Sequence, residues 1–192
     1  RKKDSLGYIS RFGRIIEYAY SLDPKIYKKL NSKYLIEFGP GLGFAGQLYS
    51  KLFNSKSIFF DLQEVKDLRE ILFREFSNNK GYDFSKFEDY SDFDSLISRI
   101  GDIDDFSFIS TWAFTETPLI LRKKFLSVIS KSKIAIIISN KQYRNLNNFE
   151  YLNDLAKKLP NHKHIFENLN FLKNSPNFMK KHQMHIFISK RD

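Results

Sequence analysis

Cysteine does not occur among the 192 residues. Its absence excludes disulfide bonds, a thiolate nucleophile and thiolate zinc sites, and it fits a reducing, cytoplasmic setting. Long apolar runs are absent too. The longest, Ile134 to Ser139, is too short to cross a bilayer and has the length of a buried strand. No secretory signal stands at the start and no initiator methionine does, so a piece trimmed from a longer protein stays open. A dense basic tract is also missing, although the net charge is +10. The lysines come in scattered pairs (Lys28–Lys29, Lys123–Lys124, Lys157–Lys158, Lys180–Lys181) without interleaved aromatics. A solvated surface explains that pattern better than a nucleic-acid footprint, so no nucleic-acid partner is expected. An anionic substrate and a peripheral contact with an anionic membrane stay open. No composition shift, repeat or long linker divides the chain. Residues 1–192 are expected to form one domain, with helices over 1–32 and the core over 33–192.

What is present is periodic. Hydrophobic residues make up 42% of the chain, which excludes a disordered polymer. Ser5 to Leu30 has helical spacing at Leu6, Ile9, Phe12, Ile16 and Ala19, and Asp23-Pro24 starts a second helix. Strands are expected at Tyr34–Phe38, Ser57–Phe60, near Tyr82–Phe84, at Phe106–Thr111, Lys133–Ser139, His164–Glu167 and Met184–Ser189. Between them helices are expected at Gly43–Phe53, with Leu48, Leu52 and Phe53 inward, and at Val65–Phe76, Phe93–Ile100, Pro118–Ile129 and Glu150–Leu159. Alternation of this kind predicts an α/β fold: a mostly parallel sheet with helices on both faces. The last two strands have an Asn-rich loop and no helix of crossover length between them, so one strand near the edge should run antiparallel.

Glycine is scarce, at eight residues, yet three fall in the five positions Gly39, Gly41 and Gly43. They follow a strand that ends in Glu37, and a second strand ends in Asp61. In a parallel sheet this is the carboxyl edge, where ligands bind. Three ligands compete for such a turn. A P-loop needs Lys and Ser/Thr where Gln47-Leu48 stands, which rejects it. Gly41-Leu-Gly43-Phe-Ala-Gly46 matches the dinucleotide pattern GxGxxG, a weak signal by itself. The carboxylate of Glu37 would repel a pyrophosphate and attract a cation, which favours a ligand with an amino group and a sulfonium. Asp61 can accept two hydrogen bonds from a ribose diol.

The stretches EFGPGLG and FFDLQE resemble the first two motifs of class I S-adenosylmethionine-dependent methyltransferases. Together with FISTWAFTETP and IIISNKQY, the chain from Tyr34 to Tyr143 is similar to the sugar O-methyltransferases of bacterial polysaccharide gene sets, with Gln63 where that family usually has Pro. The resemblance implies a Rossmann-like, seven-stranded sheet with a reversed last strand. It implies S-adenosyl-L-methionine as cofactor and a sugar, nucleotide-sugar or glycan hydroxyl as methyl acceptor, in surface-glycan synthesis. Glu37, Gly39, Pro40, Gly41 and Gly43 would then hold the methionine part, Asp61 the ribose, Leu62 the adenine, with Thr111 beside them. Asp89 and Tyr90 are candidates for the adenine edge. Nucleic-acid methylation and a non-catalytic binding module remain alternatives, although Ser110-Thr-Trp-Ala113 stands where base-amine methyltransferases carry Asn/Asp-Pro-Pro-Tyr/Phe.

An alcohol acceptor needs a general base on the same edge. Glu116, after the fourth strand, is one candidate, and a helix-starting carboxylate before Pro118 is its plainer explanation. His182 is the other. His162 and His164 fall at the opposite edge, and His185 lies among apolar neighbours as a core residue. Trp112, Asn140 and Lys141 also face the acceptor side. Asp102, Asp104 and Asp105 cluster at the wrong edge and suit a turn, so no metal is expected.

Overall fold

The computed structural model describes residues 13, 15–17, 19–80, 84–169 and 182–191. Seven strands form one sheet in the order β3-β2-β1-β4-β5-β9-β8. These are β1 (Tyr34–Phe38), β2 (Lys56–Phe60), β3 (Phe87–Tyr90), β4 (Phe106–Thr111), β5 (Ile134–Asn140), β8 (His162–Asn168) and β9 (His182–Ser189). A separate small hairpin joins β6 (Gln142–Tyr143) to β7 (Leu146–Asn147). Strands β1 to β5 pair in parallel, and β9 runs antiparallel to both β5 and β8. This is the Rossmann-like sheet expected from the alternation of elements, with its single reversed strand one place in from the edge.

The central strands are apolar on both sides, as helices on both faces require. One core gathers Phe38, Phe60, Phe108, Phe114 and Phe125 with the helices Phe93–Gly101 and Asn148–Lys157. The other packs Ile15, Ile26 and Leu30 of the N-terminal helical segment and Tyr49 of the helix Phe44–Phe53 against Leu35, Ile109, Ile136 and Met184. The register decides where the functional residues fall. Phe38 lies level with Phe60 on one side and Ser110 on the other. The chain turns off β1, β2 and β4 at one height, and the strand order reverses beside β1.

Several boundaries move. The third strand is Phe87–Tyr90, not Tyr82–Phe84; residues 82 and 83 lie outside the described residues, as do the helix start at 5–12 and the loop 170–181. The expected helix Pro118–Ile129 is two short ones, Leu119–Lys124 and Leu126–Lys131, and a separate one, Ala113–Glu116, precedes them. Pro118 is extended, at ψ 145°, and Phe125 breaks Leu119–Lys124 from Leu126–Lys131. Leu52 is about half exposed, while Tyr49 turns inward instead, its hydroxyl bonded to Ser32 and the Leu30 carbonyl. His182 opens β9 and does not precede it.

Candidate active site

The glycine turn is built by backbone that only glycine adopts cheaply. Gly39, Gly41 and Gly43 have φ of 66°, 56° and 74°. The Gly39 amide continues the ladder to the Phe60 carbonyl, and Gly43 donates to the Pro40 carbonyl at 2.9 Å. A Cβ on Gly39 would lie 2.0 Å from that of Ala113, so the turn is pressed directly onto the start of the helix Ala113–Glu116. Ser110 ties the same places: its Oγ donates to the Phe38 carbonyl and accepts from the Phe114 amide, both at 3.0 Å. The structure therefore brings Gly39, Pro40, Gly41, Gly43, Asp61 and Thr111 to one edge.

Glu37 is buried behind this turn, with Oε2 accepting the Gly46 amide at 2.9 Å. Burial pushes its carboxyl from the ordinary 4.5 up to about 7, against the pull of the Gly46 amide and Arg69. A buried carboxylate in that position is short of positive charge. Gly46 is glycine for a steric reason: an added Cβ would lie 2.3 Å from the Phe59 ring.

Asp61 follows β2 and is held from three sides. Oδ2 accepts the Gly41 amide at 3.1 Å, Oδ1 accepts the Leu62 amide at 2.9 Å, and Arg69 Nη1 lies 3.6 Å from Oδ2. Leu62 beside it is 70% exposed, an apolar surface at the mouth of the turn. Asp89, a candidate for the adenine edge, is already taken: Arg69 clamps it with Nε at 2.6 Å and Nη2 at 2.8 Å. The Tyr90 hydroxyl donates to Glu88, and the Tyr90 carbonyl accepts from Asp61.

Arg69 escaped the sequence reading. It is fully buried, lies over the Phe59 ring at 5.2 Å, and donates to the Gly41 carbonyl as well as pairing with Asp89. It links the glycine turn to β3. On a charged helical stretch such an arginine looks like solvated surface, and its hydrogen-bond partners, Gly41 and Asp89, are twenty or more residues away.

On the acceptor side, Glu116 is exposed and accepts a hydrogen bond from Asn140 Nδ2 at 3.2 Å. It closes its four-residue helix and stands shortly before the helix Leu119–Lys124. His182 pairs with Asn140 across β5 and β9 and is buried, its ring 5.2 Å from that of Trp112. The two candidate bases thus flank one residue, Asn140. Trp112 takes φ 70° directly after β4, an uncommon backbone for a bulky residue. His162 sits at the opposite edge against the Ser132 carbonyl, and His185 is fully buried, as expected. Asp105 pairs with Lys133 at 2.7 Å. Among the described residues no group of three metal-ligating side chains converges.

Arg122 is the second arginine that the sequence hid. It is fully buried with uncharged partners: the Thr117 carbonyl at 2.9 Å, Asn148 Oδ1 at 3.0 Å and the Thr115 carbonyl, with Tyr151 under its guanidinium. Asn148 in turn donates to the Asn140 carbonyl at 3.0 Å. The segment that carries Glu116 is thereby fastened on both sides to the end of β5. Arg122→Met removes three donors and leaves their acceptors buried. It is expected to cost ~3 kcal/mol in urea unfolding, with the midpoint lowered and the slope unchanged.

No protein-family model and no curated protein matches the sequence. Solved structures do. The methyltransferase domain of a bacterial Hen1 aligns over 95% of this chain and 98% of its own, with TM-score 0.64 and 15% identity. Human N-acetylserotonin methyltransferase, solved with S-adenosylmethionine, aligns over 98% of this chain and 56% of its own, at 0.55 and 10%. A methyltransferase from Aquifex aeolicus, described as dependent on S-adenosylmethionine, aligns over 93% and 97%, at 0.53 and 15%. At such identities the likeness is one of fold, and that fold is the class I methyltransferase fold.

Proposed function

We propose that this chain is a cytoplasmic methyltransferase that uses S-adenosyl-L-methionine to methylate a hydroxyl of a sugar or a related small polar acceptor, in bacterial surface-glycan synthesis. The observation that carries the reading is the buried Glu37 carboxylate behind three left-handed glycines, with Asp61 at the next strand end. That donor set fits a cationic amino-acid nucleoside. It does not fit a dinucleotide, whose pyrophosphate would meet Glu37 across the turn. Bound there, the cofactor supplies an electrophilic methyl carbon on a positively charged sulfur. Glu37 and the Gly39–Gly43 backbone would hold its amino-acid part, Asp61 its ribose and Leu62 its adenine face, with Thr111 beside them.

The rest of the task falls to this chain's own groups. Glu116, held by Asn140, takes the proton that the acceptor hydroxyl gives up. An exposed carboxylate meets an incoming hydroxyl more readily than the buried His182, which serves as wall against Trp112. Alignment of acceptor and donor supplies most of the remaining acceleration. Calorimetric titration with S-adenosylhomocysteine, beside NADH, tests the reading. Micromolar S-adenosylhomocysteine binding with no NADH heat supports it. The reverse result, or neither, in folded protein overturns it.

A further inference from the structure

A second concave site opens where β5 ends. It has a volume of about 520 Å³ and is lined by the β6–β7 hairpin, the start of the helix Asn148–Lys157 and the last residues of β8. The lining chemistry is unusual for a surface hollow. Gln142, Asn145, Asn147, Asn168 and Gln183 bring five carboxamides together, with no carboxylate among the lining residues. Phe149 and Phe166 add two rings, 5.0 Å apart and edge to face, and Lys141 stands at the rim. Carboxamides offer donor and acceptor side by side, which matches vicinal hydroxyls. Ring faces suit the C–H face of a pyranose.

Gln183 gives the independent sign of a ligand. It is fully buried, its Nε2 donates to Ser139 Oγ at 3.1 Å, and its Oε1 has no partner. A buried carbonyl oxygen without a donor is rare in a folded chain. Here it belongs to a residue that lines the hollow, where a ligand hydroxyl can supply the donor. Other members are set by the backbone. Asn147 caps the helix Asn148–Lys157 through the Glu150 amide, and Gln142 donates to the Arg144 carbonyl.

We infer that this hollow is a carbohydrate-binding site that takes one hydroxylated sugar ring. It begins one residue beyond Asn140, which holds Glu116, so a sugar seated there lies at the edge of the sheet that carries the proposed base. Its role as the acceptor subsite rests on the methyltransferase reading; its affinity for a sugar does not.

The test is titration of the ¹⁵N-labelled chain with the methyl glycosides of glucose, galactose, mannose and glucuronic acid, following side-chain amide signals without cofactor. Saturable shifts are expected in the Asn145 and Gln183 amides with at least one of the four. Asn145→Ala and Phe149→Ala, both at exposed positions, should weaken that binding at least about fivefold each, while S-adenosylhomocysteine binding is unchanged. Gln183→Leu should weaken it further. No saturable shift with any glycoside, or shifts that persist equally in all three variants, would overturn the inference. That failure, with S-adenosylhomocysteine still bound, leaves the cofactor reading intact. Loss of S-adenosylhomocysteine binding with the sugar shifts retained would do the opposite.

Discussion

Asp61→Ala is expected to weaken S-adenosylhomocysteine binding about 100-fold, the equivalent of losing two hydrogen bonds to a charged group. The expectation follows from where Asp61 sits. Its two oxygens already order the Gly41 and Leu62 amides, and Arg69 stands 3.6 Å away. The carboxylate thus shapes the turn, and on the proposed function it faces the ribose at the same time. Asp61→Asn separates these duties. An amide oxygen still accepts from Gly41, but the charge that strengthens the ribose contacts is gone, so an intermediate loss is expected. Calorimetry on folded variants checks both. Binding by Asp61→Ala within threefold of the parent chain would remove Asp61 from the site.

The second large effect is on pH dependence. Glu37 sits at about 7 in the folded chain and near 4.5 when unfolded. The folded state therefore holds its proton longer. The stability this gives is fully present below pH 4.5 and is lost as pH rises through 7, a difference of ~3 kcal/mol. His185 runs the other way: burial pushes it from 6.5 down to about 3, so its contribution is present above pH 6.5 and is lost as pH falls toward 3. Urea unfolding should show greatest stability between these limits. Glu37→Gln keeps an acceptor for the Gly46 amide and should be more stable than the parent chain at pH 8, with no such gain at pH 4. Cofactor binding should respond oppositely. A cation beside Glu37 favours its ionised form, so affinity for S-adenosylmethionine should rise on the order of tenfold from pH 6 to pH 8. In Glu37→Gln that rise should vanish. A flat profile in the parent chain would show that Glu37 does not meet the cation.

Much of this was legible in the sequence because two levels agreed. Apolar strand runs alternated with amphipathic helices, and glycines fell where a strand had just ended. That agreement placed Gly39–Gly43, Asp61 and the reversed strand β9. What escaped was set by distant partners. The edge strand Phe87–Tyr90 carries Glu88 and Asp89, charges that suggest a loop until Arg99 and Arg69 are seen to pair with them. Arg69 meets Gly41 and Asp89, and Arg122 meets Asn148 and Tyr151, all twenty or more residues along the chain, and no local spacing announces that. The split of Pro118–Ile129 falls at Phe125, an αR residue that no turn signal in the sequence marks. The carboxamide hollow draws on three separate stretches, and nothing in any one of them suggests a site.

The β6–β7 hairpin has one more implication. It leaves the sheet after Asn140 and returns at Asn148, and both ends are fastened: Asn148 bonds the carbonyls of Asn140 and Lys141. Arg122 and the Glu116 segment are anchored to the same fixed point. The residues between, 141–147, are an excursion with rigid posts. They can be exchanged for a hairpin of other composition without moving the base or the glycine turn. On the proposed function, acceptor preference would then be a replaceable cassette, and a lineage could trade one acceptor for another while the glycine turn stays as it was.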